Sequence, residues 1–297
     1  MSRRGFTMIE LLVALVLLGI VSTAIYRVLV NNQRLYMAQT QRIDLSQNIR
    51  AASTILPAEF RELDAFDGDI IAMSADSILV RGMRWLSFVC VPPALNGNNL
   101  GNQMIIRGRQ VGDPMFFGSR YINENTDSLL IYVDGNQTTR LDDYFVLGRL
   151  AATPGNQQCP AVGAIPAQPG TRIVFDGNFI FGTNVPGAIT MGAPVRGWER
   201  VTYRLYQPAG DTSWYIGFRP AGQTIQPLIG PVLTNGLTFQ YFNAAGAATA
   251  VRTQVARIDV TVRARTTQQV RRGGQAARAA IVDSITFSVA LRNNRRF

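Results

Sequence analysis

The first thirty residues constrain everything downstream. A basic start with Arg3 and Arg4 gives way to Gly5-Phe6-Thr7-Met8-Ile9-Glu10, and then to an apolar run from Leu11 to Val21 that resumes at Ala24 and reaches Val30. Such a helix is hydrophobic on every side, so it must be buried all round, in lipid or among other helices. A bilayer span needs about 20 apolar residues, and the stretch from Phe6 to Val30 supplies them. Glu10 is the anomaly. A carboxylate in such a run costs about 2.5–3.5 kcal/mol at the bilayer centre on insertion scales, which points to a function and a partner for it.

Gly5-Phe6-Thr7-x-x-Glu10 followed by Leu11-Leu12-Val13-Ala14-Leu15-Val16-Leu17-Leu18-Gly19 resembles the N-terminus of type IV prepilins and of type II secretion pseudopilins. The resemblance implies that a membrane peptidase cuts after Gly5, that the new amino-terminal Phe6 is N-methylated, and that Glu10 pairs with a neighbouring subunit's terminal amine during assembly. It implies as partners the other pilins or pseudopilins of one filament, the prepilin peptidase/methylase and the bacterial inner membrane. The chain would cross that membrane once with a periplasmic head, then enter a pilus or pseudopilus near its tip. Two other readings stay open. A secretory signal peptide also has basic residues before an apolar core, with Val21-Ser22-Thr23-Ala24 as a small-residue cleavage site, although a glutamate before the core is unusual there. A plain membrane anchor is the other. Glu10 also suits a helix N-terminus, a role worth about 0.3–1 kcal/mol and compatible with assembly.

Composition removes most enzyme classes. The 29 basic residues are all arginine, and there is no His. Without Lys or His there is no Ser-His-Asp triad, Cys-His pair, P-loop lysine, Schiff base or His/Cys zinc site. No cofactor is expected. The charge is unevenly placed: residues 6–251 hold 17 Arg against 17 acids, whereas residues 252–297 hold ten Arg against Asp259 and Asp283, a surplus of +8. An acidic partner should meet that end.

From Leu35 the apolar positions Leu35, Ala38, Leu45, Ile49, Ala52 and Leu56 fall on one helical stripe among Gln33, Gln39, Gln41, Gln47 and Arg50. The helix should therefore continue from Phe6 to Leu56, about 75 Å, with its apolar half projecting and its amphipathic half held against a head. Pro57 should kink or end it, leaving Ala58 to Leu63 as a last turn or two. Beyond Leu63 the pattern is β-type: Ser77–Gly82, Arg84–Val91, Gln103–Val111, Ser128–Val133, Tyr144–Ala151, Thr171–Phe175, Glu199–Tyr206, Ser213–Phe218, Leu237–Phe242, Arg257–Thr266 and Ile281–Leu291. None alternates with a helix, so the sheet should be antiparallel. The expectation is an α+β, pilin-like chain: residues 1–5 a leader, 6–30 a membrane and filament-core helix half, 31–63 an amphipathic half, and 64–297 a β-rich periplasmic head.

Pro93–Asn102 and Ala152–Gly170 read as irregular excursions. Cys90 ends an apolar strand and Cys159 lies in the second excursion. In an oxidising compartment the pair would form a disulfide worth about 2–4 kcal/mol; two buried thiols is the other reading. The stem segment Arg42-Ile43-Asp44-Leu45-Ser46-Gln47-Asn48-Ile49-Arg50 is loosely similar to J-type pseudopilins and W-type minor pilins. So are Tyr203–Tyr206, Leu228–Val232, Leu237–Phe242 and Arg257–Val262. That resemblance implies a large subunit near a filament tip that helps to start assembly.

Chemical sites in the head are sparse. Asp64-Ala65-Phe66-Asp67-Gly68-Asp69 places three carboxylates in a turn, which reads first as a solvated turn after the helix; calcium held by these oxygens is the other reading, although EF-hand spacing and its closing Glu are missing. Asp142 and Asp143 are strand neighbours that point to opposite faces. Asp134-Gly135-Asn136 and Asp176-Gly177-Asn178 read as turns. Arg257, Asp259, Thr261, Arg263 and Arg265 share one strand face, and Arg271, Arg272 and Arg278 crowd the connection to the last strand, with which this strand should pair as a hairpin. These six cations could meet DNA phosphates, or form a polar face in a chain that uses arginine where others use lysine. The sequence thus supports a non-enzymatic filament component that starts or caps a type IV pilus or type II secretion pseudopilus. A DNA-capturing minor pilin of an uptake pilus is the alternative.

Overall fold

The computed structural model describes residues 7–96, 99–100, 103–108, 112–134, 138, 144–152, 156–175, 189–271 and 277–292. Helix α1 runs from Met8 to Phe60, 53 residues, which is about 80 Å of helix. Neither Gly nor Pro occurs between Ile20 and Leu56 to interrupt it. Pro57 does not end the helix: it sits in the last turn, where Arg61 N still donates to Pro57 O at 3.0 Å. A proline this close to a helix end forfeits one backbone bond and is followed by a single turn.

Every residue from Met8 to Leu29 is exposed. Leu45, Ile49, Ala52, Leu56 and Phe60, spaced by three or four, are buried on the head. Leu35, the expected start of the packed stripe, is 57% exposed. The stripe is continuous in sequence, but the sheet beneath it is not long enough to reach Leu35. The described contact begins near Gln41, whose Oε1 accepts from Gln268 N at 3.0 Å.

The strands are β1 (Ile70–Met73), β2 (Ser77–Val91), β3 (Leu95–Asn96), β4 (Asn99–Leu100), β5 (Gln103–Arg107), β6 (Phe117–Gly118), β7 (Ser128–Val133), β8 (Tyr144–Ala152) and β9 (Asn156–Cys159). They continue with β10 (Gln168–Phe175), β11 (Pro194–Tyr206), β12 (Trp214–Pro220), β13 (Gln226–Phe242), β14 (Arg257–Arg265), β15 (Val270–Arg271), β16 (Arg278–Ala279) and β17 (Val282–Ala290). Thirteen join one antiparallel sheet ordered β1-β2-β5-β10-β8-β7-β11-β12-β13-β14-β17, with β6 on β2 and β9 on β10. Because β2 also pairs β11, the pairings β2-β5-β10-β8-β7-β11 close into a ring. The long strands β2 and β11 thus belong to two cores. Their Ser77 and Tyr206 ends share an open sheet with β12, β13, β14 and β17 that packs on α1; their other ends enter the ring, which is filled by Trp85, Val89, Ile106, Leu129, Ile131 and Val195.

Several expected boundaries move. Ser77–Gly82 and Arg84–Val91 are one strand, β2, because Gly82 is a close-approach position rather than a break: a Cβ there would lie 2.8 Å from an Arg84 Nη atom and 2.9 Å from Val201 Cγ2. The expected strand Leu237–Phe242 begins earlier, at Gln226, as β13, with a register shift between Val232 and Leu237. The excursions expected at Pro93–Asn102 and Ala152–Gly170 contain the β3–β4 pair and β9, which pairs with β10.

Candidate functional site

The apolar stem is capped at its start. Thr7 is the N-cap, its Oγ1 accepting from Glu10 N at 3.3 Å, while Glu10 Oε2 accepts from Thr7 N and Thr7 Oγ1, both at 3.0 Å. This capping box satisfies orphan donors of the first turn reciprocally. It makes the charge a structural part of the helix end, with no cationic partner for it among the described residues. The stem beyond is the one described helix long and apolar enough to cross a membrane, and its most apolar window is not buried within this chain. Gly5 and Phe6 lie outside the described residues.

Residues 1–26 match the family model of the prokaryotic N-terminal methylation motif. This chain carries that motif. The motif, characteristic of type IV pilins and pseudopilins, ends within the exposed half of α1 and does not extend into the head. No curated protein and no solved structure matches the chain.

Where the methylation-motif helix meets the head, a buried ionic network ties the two together. Arg84 on β2 donates from Nη1 to both oxygens of Glu59 in the last turn of α1, at 3.0 and 3.2 Å, and from Nε to Glu199 on β11 at 2.5 Å. Arg120 lies 3.5 Å from the same Glu199 oxygen and grips Asp127 through two bonds of 2.5 and 3.0 Å. Asp127 also accepts from Trp85 Nε1 at 2.9 Å and from Asn123 N at 2.9 Å. The side chains of Arg84 and Glu199 are each 8% exposed and that of Asp127 is fully buried. Burial alone would lower the Arg84 pKa; Glu59 and Glu199 outweigh it and hold the guanidinium above its ordinary range. Burial, with Glu59 beside it, raises the neighbouring Tyr203 phenol.

The sequence reading missed this network. Its members are separated by 25 and 115 positions, so no local pattern joins them. One signal existed: by strand alternation Arg84 shares a face with Ile78, Val80 and Gly82, and Glu199 with Val201 and Tyr203. A charge at a core-facing strand position requires a partner.

Cys90 and Cys159 are joined by a disulfide with Cα atoms 5.5 Å apart, fastening β9 beside β2. The Asp64–Asp69 turn is a correction, since it is not solvated. Asp64 and Asp69 are 6% and 3% exposed, Asp64 Oδ1 accepts from Phe66 N and Asp67 N, and Asp69 Oδ2 accepts from Asp64 N. Burial raises the Asp69 pKa despite that backbone bond and the nearby Arg196 and Arg81. Among the described residues no group of His, Cys, Asp or Glu is arranged to hold a metal.

β14 and β17 pair as a hairpin, with the short β15–β16 pair between them. Arg257 pairs with Asp259 at 3.0 Å and stacks 4.2 Å over Phe242, and Arg263 donates to Asn235 O at 3.0 Å. Arg265 is half-buried and Arg278 exposed. Arg271 begins the hairpin tip; Arg272, Asp142, Asp143 and the turns at Gly135-Asn136 and Asp176–Asn178 lie outside the described residues.

Proposed function

We propose that this protein is a structural subunit of a type IV pilus or type II secretion pseudopilus, a minor pilin or pseudopilin that starts or caps the filament. The observation that carries the reading is the wholly exposed apolar stem that begins at a single carboxylate. Such a surface needs lipid before assembly and other stems after it, which fits a chain anchored once in the inner membrane and later withdrawn into a filament core. The large two-core head and the looser resemblance to J-type and W-type subunits support a place near the tip.

Cleavage after Gly5 would make Phe6 the terminus and put its amine about 6 Å from Glu10 along the helix axis. Both charges then need neutralising before the subunit leaves lipid. A neighbour offset along the filament would bring its amine to Glu10, and that pair would set the register in which the stems pack. Glu10 in this structure already serves the capping box, so the two roles must be separated. Glu10→Gln keeps the acceptor and the cap but removes the charge, whereas Glu10→Ala removes both.

The test is co-expression with the cognate subunits and peptidase, with mass analysis of the mature N-terminus and co-purification from detergent. Expected are a chain beginning at Phe6 in every variant and a loss of co-purified subunits of about tenfold or more for both substitutions, as for one unpaired buried charge. Full recovery with Glu10→Gln would reduce Glu10 to a helix cap. A DNA-capturing minor pilin is the second reading and rests on the cationic hairpin. It ranks lower because Asp259 sits in the same row and offsets Arg257, and salt-dependent DNA binding would be its measure.

A further inference from the structure

The two ends of the main strand order in the large sheet are treated differently. One is β1, four residues long with a register shift in its pairing to β2. Short, irregular edges are how sheets avoid unwanted pairing. The other edge, β17, is nine residues long and holds unbroken register with β14 from Val282 to Ala290. It contains no proline, and its one charge, Asp283, falls on the stem side.

The pairing phase shows what this edge offers. Leu291 N donates to Ala256 O and Thr266 N to Ile281 O. Antiparallel alternation then turns residues 283, 285, 287 and 289 toward β14, and the backbone groups of Val282, Ser284, Thr286, Ser288 and Ala290 away from it. Ser284 N is taken by Asp283 Oδ1 at 2.8 Å. For the others no partner occurs among the described residues.

We propose that β17 is a docking edge that accepts, as an added strand, an extended segment of a different polypeptide in which acidic and apolar side chains alternate. The charge requirement comes from the neighbouring row. The outer face of β17 is neutral, with Val282, Ser284, Thr286, Ser288 and Ala290, and Thr261 Oγ1 touches Thr286 Oγ1 at 2.9 Å, which puts Arg257, Arg263 and Arg265 of β14 on the same face, with Asp259 offsetting Arg257 alone. An added strand would lie about 10 Å from β14, two strand spacings, within joint reach of an arginine and a glutamate across these short side chains. The apolar requirement comes from the opposite face, where Ile285 and Phe287 are half-buried against the core and a cleft of about 390 Å³ opens between Arg42, Leu45 and Ser46 of the stem and Ile281, Val282 and Asp283. A second copy of this chain fits less well, since its own β17 would bring another row in which three arginines outnumber the single Asp259. The proposal stands on the sheet edge alone and is independent of the filament reading.

The probe is an acetylated, amidated peptide of alternating Val and Glu, nine residues long to match β17, titrated into the full chain in non-ionic detergent and read by fluorescence anisotropy and amide exchange. Saturable binding is expected, with slowed exchange at Val282, Thr286, Ser288 and Ala290, and no binding of the matching Val-Lys peptide. Thr286→Pro removes an outward N–H without touching the β14 ladder and should weaken binding about tenfold or more, whereas Thr286→Ala should stay within about twofold. If Thr286→Pro does not fold, a probe N-methylated at alternate amides replaces it and should not bind. Unchanged affinity for the proline variant or the N-methylated probe, equal binding of the Val-Lys peptide, protection elsewhere in the head, or self-association through β17 would each overturn the proposal.

Discussion

Replacing Arg84 with Met tests whether the buried network holds the stem to the head. The substitution keeps the aliphatic length and removes the charge shared by Glu59 and Glu199. Glu199, with a side chain 8% exposed, would retain Arg120 at 3.5 Å as its one cation among the described residues, and Glu59, 23% exposed, would face it across the vacated space. Removing one partner of a buried ion pair costs about 3–5 kcal/mol. The remaining Arg120 and the partial exposure of Glu59 put this case at the low end, about 3 kcal/mol. At about 2–4 °C per kcal/mol for a domain of this size, the melting temperature should fall by about 6–12 °C. The assay is thermal unfolding of the full chain in detergent, with amide exchange at Leu56 to Phe60 reporting whether the last turn of α1 loosens first. Arg84→Met/Glu199→Met should recover more than half of the loss, because it leaves no buried Glu199 to strand. A fall below about 2 °C, or a double variant as unstable as the sum of the two single ones, would refute the claim that buried charge pairing joins stem and head.

Gly197→Ala should be strongly destabilising, by about 1–3 kcal/mol or more, because its Cβ would lie 1.9 Å from Trp85 Cε2; a shift in Trp85 emission accompanied by no loss of stability would contradict the close approach. Cys90→Ala/Cys159→Ala removes a link spanning 69 positions and should lower stability by about 2–4 kcal/mol, below the roughly 4 kcal/mol of the chain-entropy model; an unchanged denaturation midpoint would count against it. Asp69 has a folded pKa raised by burial, so the native state holds its proton more tightly than the unfolded chain, whose value is about 3.9. Its contribution is therefore fully present below that value and is lost as pH rises through the folded pKa. Asp69→Asn should accordingly gain stability relative to the parent between pH 4 and pH 7; a difference that is flat with pH, or that shrinks as pH rises, would show that the carboxylate is stabilised rather than penalised.

The stem and the strands could be read directly because each depends on near neighbours. An apolar run without Pro, with Gly19 as its one glycine, a carboxylate suited to a helix N-terminus and a stripe at steps of three and four favour a long helix whatever it touches. Alternation such as Arg257 to Arg265 requires a strand with one buried face. What could not be read depends on which strands meet. Gly82 looks like a break in one dimension and is a contact point in three, since Arg84 and Val201 occupy the space above it. The Asp64–Asp69 turn looks solvated until β2 brings Arg81 beside it. Leu35 and Leu45 are equivalent on the helical stripe, and only the extent of the sheet leaves the first in the open and buries the second. The sequence by itself determined the long helix, the positions of most longer strands and the motif, since local sterics and periodicity act over a few residues. Tertiary structure decided the ring closed by β2 and β11, the partners of Arg84 and the place of β17 at the end of the strand order, because these follow from pairings between residues tens to hundreds of positions apart.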